Sequence, residues 1–130
     1  MRIPILRLGR ILLTSVQTDL TDDDAGQLQA EVLQLFHRDV ADGLVLDISG
    51  LDVVDSYMAR LLNETARMVR MMGGEVVLTG MHPMVALTLV EMGQEIIGIQ
   101  TAIDLEAGVA RLREVIHARD KRTTQGRTTP

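Results

Sequence analysis

The sequence predicts an α/β domain with a mixed β-sheet of about five strands and four helices. Short apolar runs indicate strands, and they alternate with longer segments whose apolar residues recur every three or four positions, as in amphipathic helices. Two apolar runs follow each other directly only at the amino terminus, where a hairpin would make the sheet mixed. We expect residues 1–119 to form this single domain and the polar, threonine-rich residues 120–130 to be disordered.

Composition narrows the class of function. A chain of 130 residues with 46% hydrophobic side chains can form one core, and a net charge of -5 with only two aromatic side chains disfavours nucleic-acid binding. The absence of cysteine excludes disulfides, thiolate metal sites and cysteine nucleophiles. Arginines interrupt the apolar amino-terminal residues, so neither a signal peptide nor a membrane-spanning segment is indicated. We expect a cytoplasmic protein that binds no membrane.

The chain begins with a predicted hairpin and a capped helix. Apolar segments 3–8 and 11–16 flank Gly9-Arg10, a pattern typical of two antiparallel strands. Thr21 and the acids at 22–24 match the start of a helix, because a hydroxyl cap and negative charge both stabilise the first turn. The same acids raise the alternative of a divalent metal site, which their divergent directions on a helix disfavour.

Residues 43–72 join an apolar strand, an acidic loop and an amphipathic helix that is predicted to begin at Ser56. The Ser56 hydroxyl either caps this helix or is exposed as the substrate of a modifying enzyme. A phosphate on Ser56 would face the free amides of the helix but also Asp52 and Asp55. Phosphorylation would therefore change partner binding without unfolding the domain. The polar helix face that includes Arg60 is either merely solvated or a docking surface for an acidic kinase.

Enzymatic chemistry is not supported by the remaining polar residues. Asp47 ends a strand as the phosphate-accepting carboxylate of a receiver domain does, but the acid cluster is missing and Lys121 is the only lysine. Asp47 is expected instead to accept backbone hydrogen bonds in the loop that follows. As a nucleophile Ser56 would need a base, and only His82 could be close, although His82 before Pro83 also fits a helix start. We expect no catalytic residues, no metal and no cofactor.

The second half of the chain predicts strand 75–79, helix 84–92 after Pro83, strand 96–101 and a final helix capped by Asp104. Helix 84–92 is apolar almost all round, so it is either buried or a contact surface. The apolar residues expected to face the core in the other three helices are Leu28, Val32, Leu35 and Phe36, then Met58, Leu61, Leu62, Val69 and Met72, and finally Leu105, Val109, Leu112 and Ile116.

The functional site is predicted at one edge of the sheet. The carboxyl ends of parallel strands meet at the same edge, so residues 49–55 should lie beside residues 80–82.

Three blocks of sequence resemble the STAS domains of bacterial anti-sigma factor antagonists: LVLDISGLDVVDSYMARLL at 44–62, VVLTGMHPMVALTLVEMG at 76–93 and TAIDLEAGVARL at 101–112. The resemblance extends from Ile3 to Ile116. Within the family, the order Asp-Ser-Tyr-Met at 55–58 and Leu-Thr-Gly-Met-His-Pro at 78–83 is most similar to RsbS-type proteins of the stressosome. Many simpler antagonists have Ser-Gly where this chain has Tyr57-Met58, directly after Ser56, which favours the stressosome subgroup.

The resemblance implies a STAS fold and a non-enzymatic scaffold. Such a protein co-assembles with RsbR-type STAS sensors in a large hetero-oligomer and sequesters an RsbT-type serine kinase. It releases that kinase when the kinase phosphorylates it, and a serine phosphatase resets it. The phosphoacceptor of the family falls on Ser56. The switch-loop residues implied around it are Asp52, Asp55, Tyr57, Gly80 and His82.

Two alternatives remain open from the sequence. One is a simple antagonist that binds an anti-sigma factor kinase directly. The other is a STAS module that binds a small ligand or a nucleotide at the loops near Ser56 and Gly80.

Overall fold

A computed structural model describes residues 3–93 and 99–127, with side chains through residue 122. These residues form a five-stranded mixed sheet and four helices, which confirms the predicted fold class. The elements are β1 (Leu6–Leu8), β2 (Ile11–Ser15), α1 (Asp22–His37), β3 (Gly43–Asp47), α2 (Ser56–Met71), β4 (Glu75–Thr79), α3 (Pro83–Glu91), β5 (Gln100–Ala102) and α4 (Leu105–Arg127). Of the predicted strand 96–101, residues 96–98 lie outside the described residues.

The strands lie in the sheet in the same order as in the chain, β1-β2-β3-β4-β5. The hairpin of β1 and β2 is antiparallel, and every later neighbour is parallel. The register pairs Ser15 with Asp47 and Asp47 with Thr79. Three polar residues therefore stand side by side at the carboxyl ends of β2, β3 and β4, at the edge where the site is predicted.

Side chains alternate along each strand, so apolar residues lie on both faces of the sheet. Helices cover both of these faces. Leu44, Leu46 and Leu78 belong to a core with α1, α2 and the inner side of α3. On the opposite face, Val45 and Val77 pack against Leu112 of α4. The apolar character of both faces explains why β3 and β4 appear in the sequence as nearly continuous apolar runs.

Two residues that were expected in the core stripes are partly exposed. Met72 is 43% exposed and Leu105 42%, because each lies at a helix end, where the helix leaves the sheet. The final helix also extends further than expected. Residues 120–127, which were predicted to be disordered, continue α4, since no proline or glycine interrupts the chain between Gly108 and Gly126. Residues 128–130 lie outside the described residues.

Helix α3 is both a core element and a surface. Val85 and Leu89 are buried against the sheet, whereas Met84, Leu87 and Val90 are 66%, 50% and 57% exposed. The last three recur every third residue, so they form one apolar stripe on the outer side of the helix. The buried alternative is therefore correct for the inner face of this helix, and the contact surface stays a prediction for its outer face.

Ion pairs hold the edge of the sheet opposite the predicted site. The Arg10 guanidinium donates to Asp42 Oδ2 at 2.7 Å and to Asp39 Oδ1 at 2.9 Å. The hydrogen bond from Arg10 lowers the pKa of the Asp42 carboxyl below its ordinary value. Arg119 near the end of α4 donates to the Gly73 carbonyl oxygen at 2.6 Å and thereby fixes α4 to the turn before β4.

Candidate functional site

Ser56 is exposed at the first position of α2, and Asp55 caps this helix. The Asp55 side chain accepts a hydrogen bond from the Met58 amide at 2.8 Å, while the Asp55 backbone is extended. Within the described residues the Ser56 hydroxyl has no hydrogen-bond partner. The interpretation of Ser56 as the helix cap is therefore wrong, because Asp55 occupies that position.

Asp47 connects the carboxyl ends of three strands beneath the site. It accepts hydrogen bonds from the hydroxyl groups of Ser49 at 2.9 Å, Thr79 at 3.1 Å and Ser15 at 3.4 Å. A backbone amide was expected as its partner, and one is present, the Ser49 amide at 3.4 Å. The hydroxyl groups from β2 and β4 were not foreseen, because they depend on the register of three strands. This carboxylate fixes the start of the acidic loop, residues 49–55.

The acidic loop contacts the turn after β4, as the sheet topology predicts. A Cβ atom placed on Gly80 would lie 2.7 Å from Ser49 Cβ, and Gly80 has a φ of +74°. Only glycine allows both this close approach and this backbone conformation. His82 Nε2 lies 2.7 Å from the Ser49 carbonyl oxygen and 3.9 Å from Asp52 Oδ1. Gly80 and His82 therefore support the acidic loop from the neighbouring turn.

A serine-histidine pair is not formed at this site. His82 precedes α3 without capping it through its side chain, and its imidazole bonds the acidic loop instead of the Ser56 hydroxyl. Within the described part of the chain, no group of three or more His, Asp or Glu side chains is placed so that it could hold a metal ion. A groove of about 350 Å³ lies between β1, β2 and the start of α4, and it contains none of the predicted site residues.

Tyr57 and Thr18 anchor the loop and the first turn of α2. The Tyr57 hydroxyl donates to the Asp22 carbonyl oxygen at 3.2 Å, so Tyr57 connects α2 to the start of α1. The Thr18 hydroxyl donates to the Gly50 carbonyl oxygen at 3.2 Å and accepts from the Asp52 amide at 3.0 Å. Sequence reasoning missed Thr18, because nothing in its local pattern reveals a partner more than thirty residues away. The loop that presents Ser56 is thus held at both ends.

The electrostatic surroundings of Ser56 differ from one side to the other. Asp52 and Asp55 are exposed on the loop side. Arg60 is exposed on α2, four residues after Ser56.

In the parts of the chain that the structure describes, no helix has both the length and the hydropathy of a bilayer-spanning segment.

This fold, with an exposed serine between a buried strand and a helix, is that of a STAS domain. The family model described as STAS domain matches residues 2–105, and the chain belongs to this family. Its resemblance to RsbS proteins is close. A serine-to-glutamate variant of RsbS from Moorella thermoacetica is 35% identical, with 90% of this chain and 99% of that chain covered and a TM-score of 0.82. A chain from a structure of the stressosome, described as a signal integration and transduction hub, is 37% identical, with 87% and 98% covered and a TM-score of 0.77.

A third similarity is to a longer protein. The RsbT co-antagonist protein RsbRA of Bacillus subtilis is 29% identical over 72 residues, which are 55% of this chain. The chain spans only 26% of the length of that relative. The comparisons confirm the resemblance that the sequence motifs indicated. The protein is an RsbS-like STAS protein.

Proposed function

We propose that this protein is a stressosome scaffold that sequesters an RsbT-type switch kinase and releases it when that kinase phosphorylates Ser56. The observation that carries the proposal is that the two neighbouring residues at the start of α2 have different roles. Asp55 caps α2, which leaves the Ser56 hydroxyl exposed and unbonded within the described residues. A phosphate can therefore be added without removing a hydrogen bond that stabilises the fold.

The surroundings of Ser56 favour a change of surface over a change of fold. A phosphate adds about 1.5 to 2 negative charges at neutral pH, next to the exposed Asp52 and Asp55. The Asp47 carboxylate and the His82 imidazole hold the acidic loop through hydrogen bonds that do not involve Ser56. Those bonds hold the loop in place against repulsion by the new charge, and the same charge also acts on a bound partner. The kinase is released while the scaffold stays folded.

The outer stripe of α3 supplies a surface for assembly. Met84, Leu87 and Val90 are exposed apolar residues on one side of a short helix. We assign this stripe to contacts with RsbR-type STAS proteins in a large hetero-oligomer, since apolar stripes of this kind are typical of lasting interfaces. The similarity to RsbRA and to a stressosome chain supports this assignment. A serine phosphatase would return the scaffold to the state that binds the kinase.

The experiment is an intact-mass measurement after incubation with the cognate switch kinase and ATP. The wild type and Ser49→Ala should each gain one phosphate and then lose kinase binding on a size-exclusion column. Ser56→Ala should gain none and should retain the kinase. The Ser49 variant is the matched control, because it deletes a hydroxyl from the same loop. Equal phosphorylation of all three proteins, or of none, would refute the role of Ser56.

The same preparation separates this function from its alternatives. Copurification in a very large assembly with STAS sensors supports the scaffold. A small binary complex with an anti-sigma factor would instead identify a simple antagonist, and a nucleotide released on denaturation would identify a ligand-binding module.

A further inference from the structure

We infer that Arg60 is the intramolecular counter-ion of phosphorylated Ser56, and that phosphorylation thereby withdraws this arginine from the docking surface. The inference deepens the proposed function and rests on it, because it concerns the phosphorylated form of Ser56. It assigns a positioning residue to the switch.

The helix geometry places the two side chains together. Ser56 is the first residue of α2 and Arg60 lies four residues later, so they are about 6 Å apart along the axis and nearly on one face. Side chains on a helix tilt towards its amino terminus, and a long side chain covers the turn before its own Cα atom. An Arg60 guanidinium that follows this tilt can reach the turn that contains Ser56.

Arg60 is available for a new partner. It is exposed, and none of the ion pairs or hydrogen bonds of the described side chains involves it. Glu64 lies one turn further along α2, towards its carboxyl end. The Arg60 side chain tilts in the opposite direction, towards the amino terminus of the helix. Asp55, the acid nearest to Ser56 in sequence, already accepts the bond from the Met58 amide. A phosphate on Ser56 would therefore meet an uncommitted cation.

The chemistry of the two groups favours their pairing. A planar guanidinium binds two phosphate oxygens at once, and such charge-assisted bonds are stronger than neutral ones. Asp52 and Asp55 repel the phosphate from the loop side, which directs it towards Arg60.

The pairing gives phosphorylation a second effect on the partner. In the unmodified protein, Arg60 is a free cation beside Ser56 and can pair with an acidic group of a bound kinase. In the modified protein the phosphate occupies the same guanidinium. The local net charge changes by the charge of the phosphate, and the guanidinium that could pair with the acidic group of the kinase now binds the phosphate instead.

The test uses the full chain with phosphoserine installed at position 56 during translation, so that no kinase is needed. Phosphorus NMR then follows the second ionisation of the phosphate with pH. Replacing Arg60 by glutamine should raise this pKa by about 0.3 units, from the usual strength of an ion pair one helical turn apart. The Arg60→Lys variant should keep part of the effect, because it retains the charge without the two-pronged geometry.

Arg67→Gln is the matched control. Arg67 is exposed on the same helix and its loss changes the net charge equally, but it lies about 16 Å from Ser56 along the axis. That distance exceeds the Debye length of about 8 Å at physiological salt, so the phosphate pKa should move by less than about 0.1 units. An unchanged pKa in Arg60→Gln, or equal shifts in the two glutamine variants, would overturn the pairing. Failure of the proposed function would show separately, as kinase phosphorylation that persists in Ser56→Ala.

Discussion

Replacing Asp55 by alanine is expected to lower the free energy of unfolding by about 1 kcal/mol, the usual contribution of an N-cap side chain. The lost interaction is the 2.8 Å bond from the Met58 amide to Asp55 Oδ1, which satisfies one free amide at the start of α2. Replacing Ser56 by alanine should change this free energy by less than about 0.5 kcal/mol, because its exposed hydroxyl makes no hydrogen bond among the described residues. Alanine substitutions of these two neighbouring polar residues should thus differ clearly in their effect on the free energy of unfolding.

Urea denaturation followed by circular dichroism measures this difference. With a typical slope of about 2 kcal/mol per molar urea, the midpoint of Asp55→Ala should fall by about 0.5 M and that of Ser56→Ala should stay close to the wild type. The melting temperature of Asp55→Ala should fall by about 4 °C for a domain of this size. Asp55→Asn is the control, since asparagine also caps helices and should recover most of the loss. If Ser56→Ala is as destabilising as Asp55→Ala, then Ser56 is a cap after all and the structural argument for its availability is refuted.

Two further predictions concern the turns and the far edge of the sheet. Gly80→Ala should cost at least about 1 kcal/mol more than Gly9→Ala in urea denaturation, because both have positive φ but only Gly80 would bring a Cβ to 2.7 Å from Ser49 Cβ. Equal losses would show that the close contact relaxes freely. Asp42 has a pKa below 3.8 in the folded protein owing to Arg10, so its stabilising contribution should be complete above about pH 3.8 and lost as the pH falls further. The stability difference between wild type and Asp42→Asn should shrink accordingly in acid, and a difference that is constant with pH would contradict the ion pair.

The regular elements were predictable because each depends on a local pattern. The apolar run of β3 and the three- and four-residue spacing in α2 correspond to the strand and helix that the structure shows. The contact between the loops after β3 and β4 was also predictable, since parallel strands place both loops at one edge. Ends of elements were less accurate. Met72 and the residues after position 119 differ from expectation because a helix end depends on which carbonyl and amide groups find partners, not on periodicity.

The contact between the two loops of the candidate site was predictable, but its hydrogen bonds were not. Ser56 and Asp55 are both residue types that cap helices, and sequence alone cannot decide between adjacent candidates when the boundary is uncertain by one residue. The partners of Asp47 come from β2 and β4, so they depend on a register that no local pattern reveals. The family was identified from a resemblance spread over three blocks of the sequence. The chemistry of single residues does not indicate a family in this way.

The order of the strands has a consequence for how the protein is made. Every strand pairs with the one synthesised just before it, so the sheet can grow at a single edge while the chain leaves the ribosome. The strands around Ser56 are complete once β4 has emerged, and the supporting turn at 80–82 follows directly. The face of the sheet that α4 covers stays exposed until α4 is synthesised, and during that interval Ile11, Val45 and Val77 are apolar surface that a chaperone would recognise.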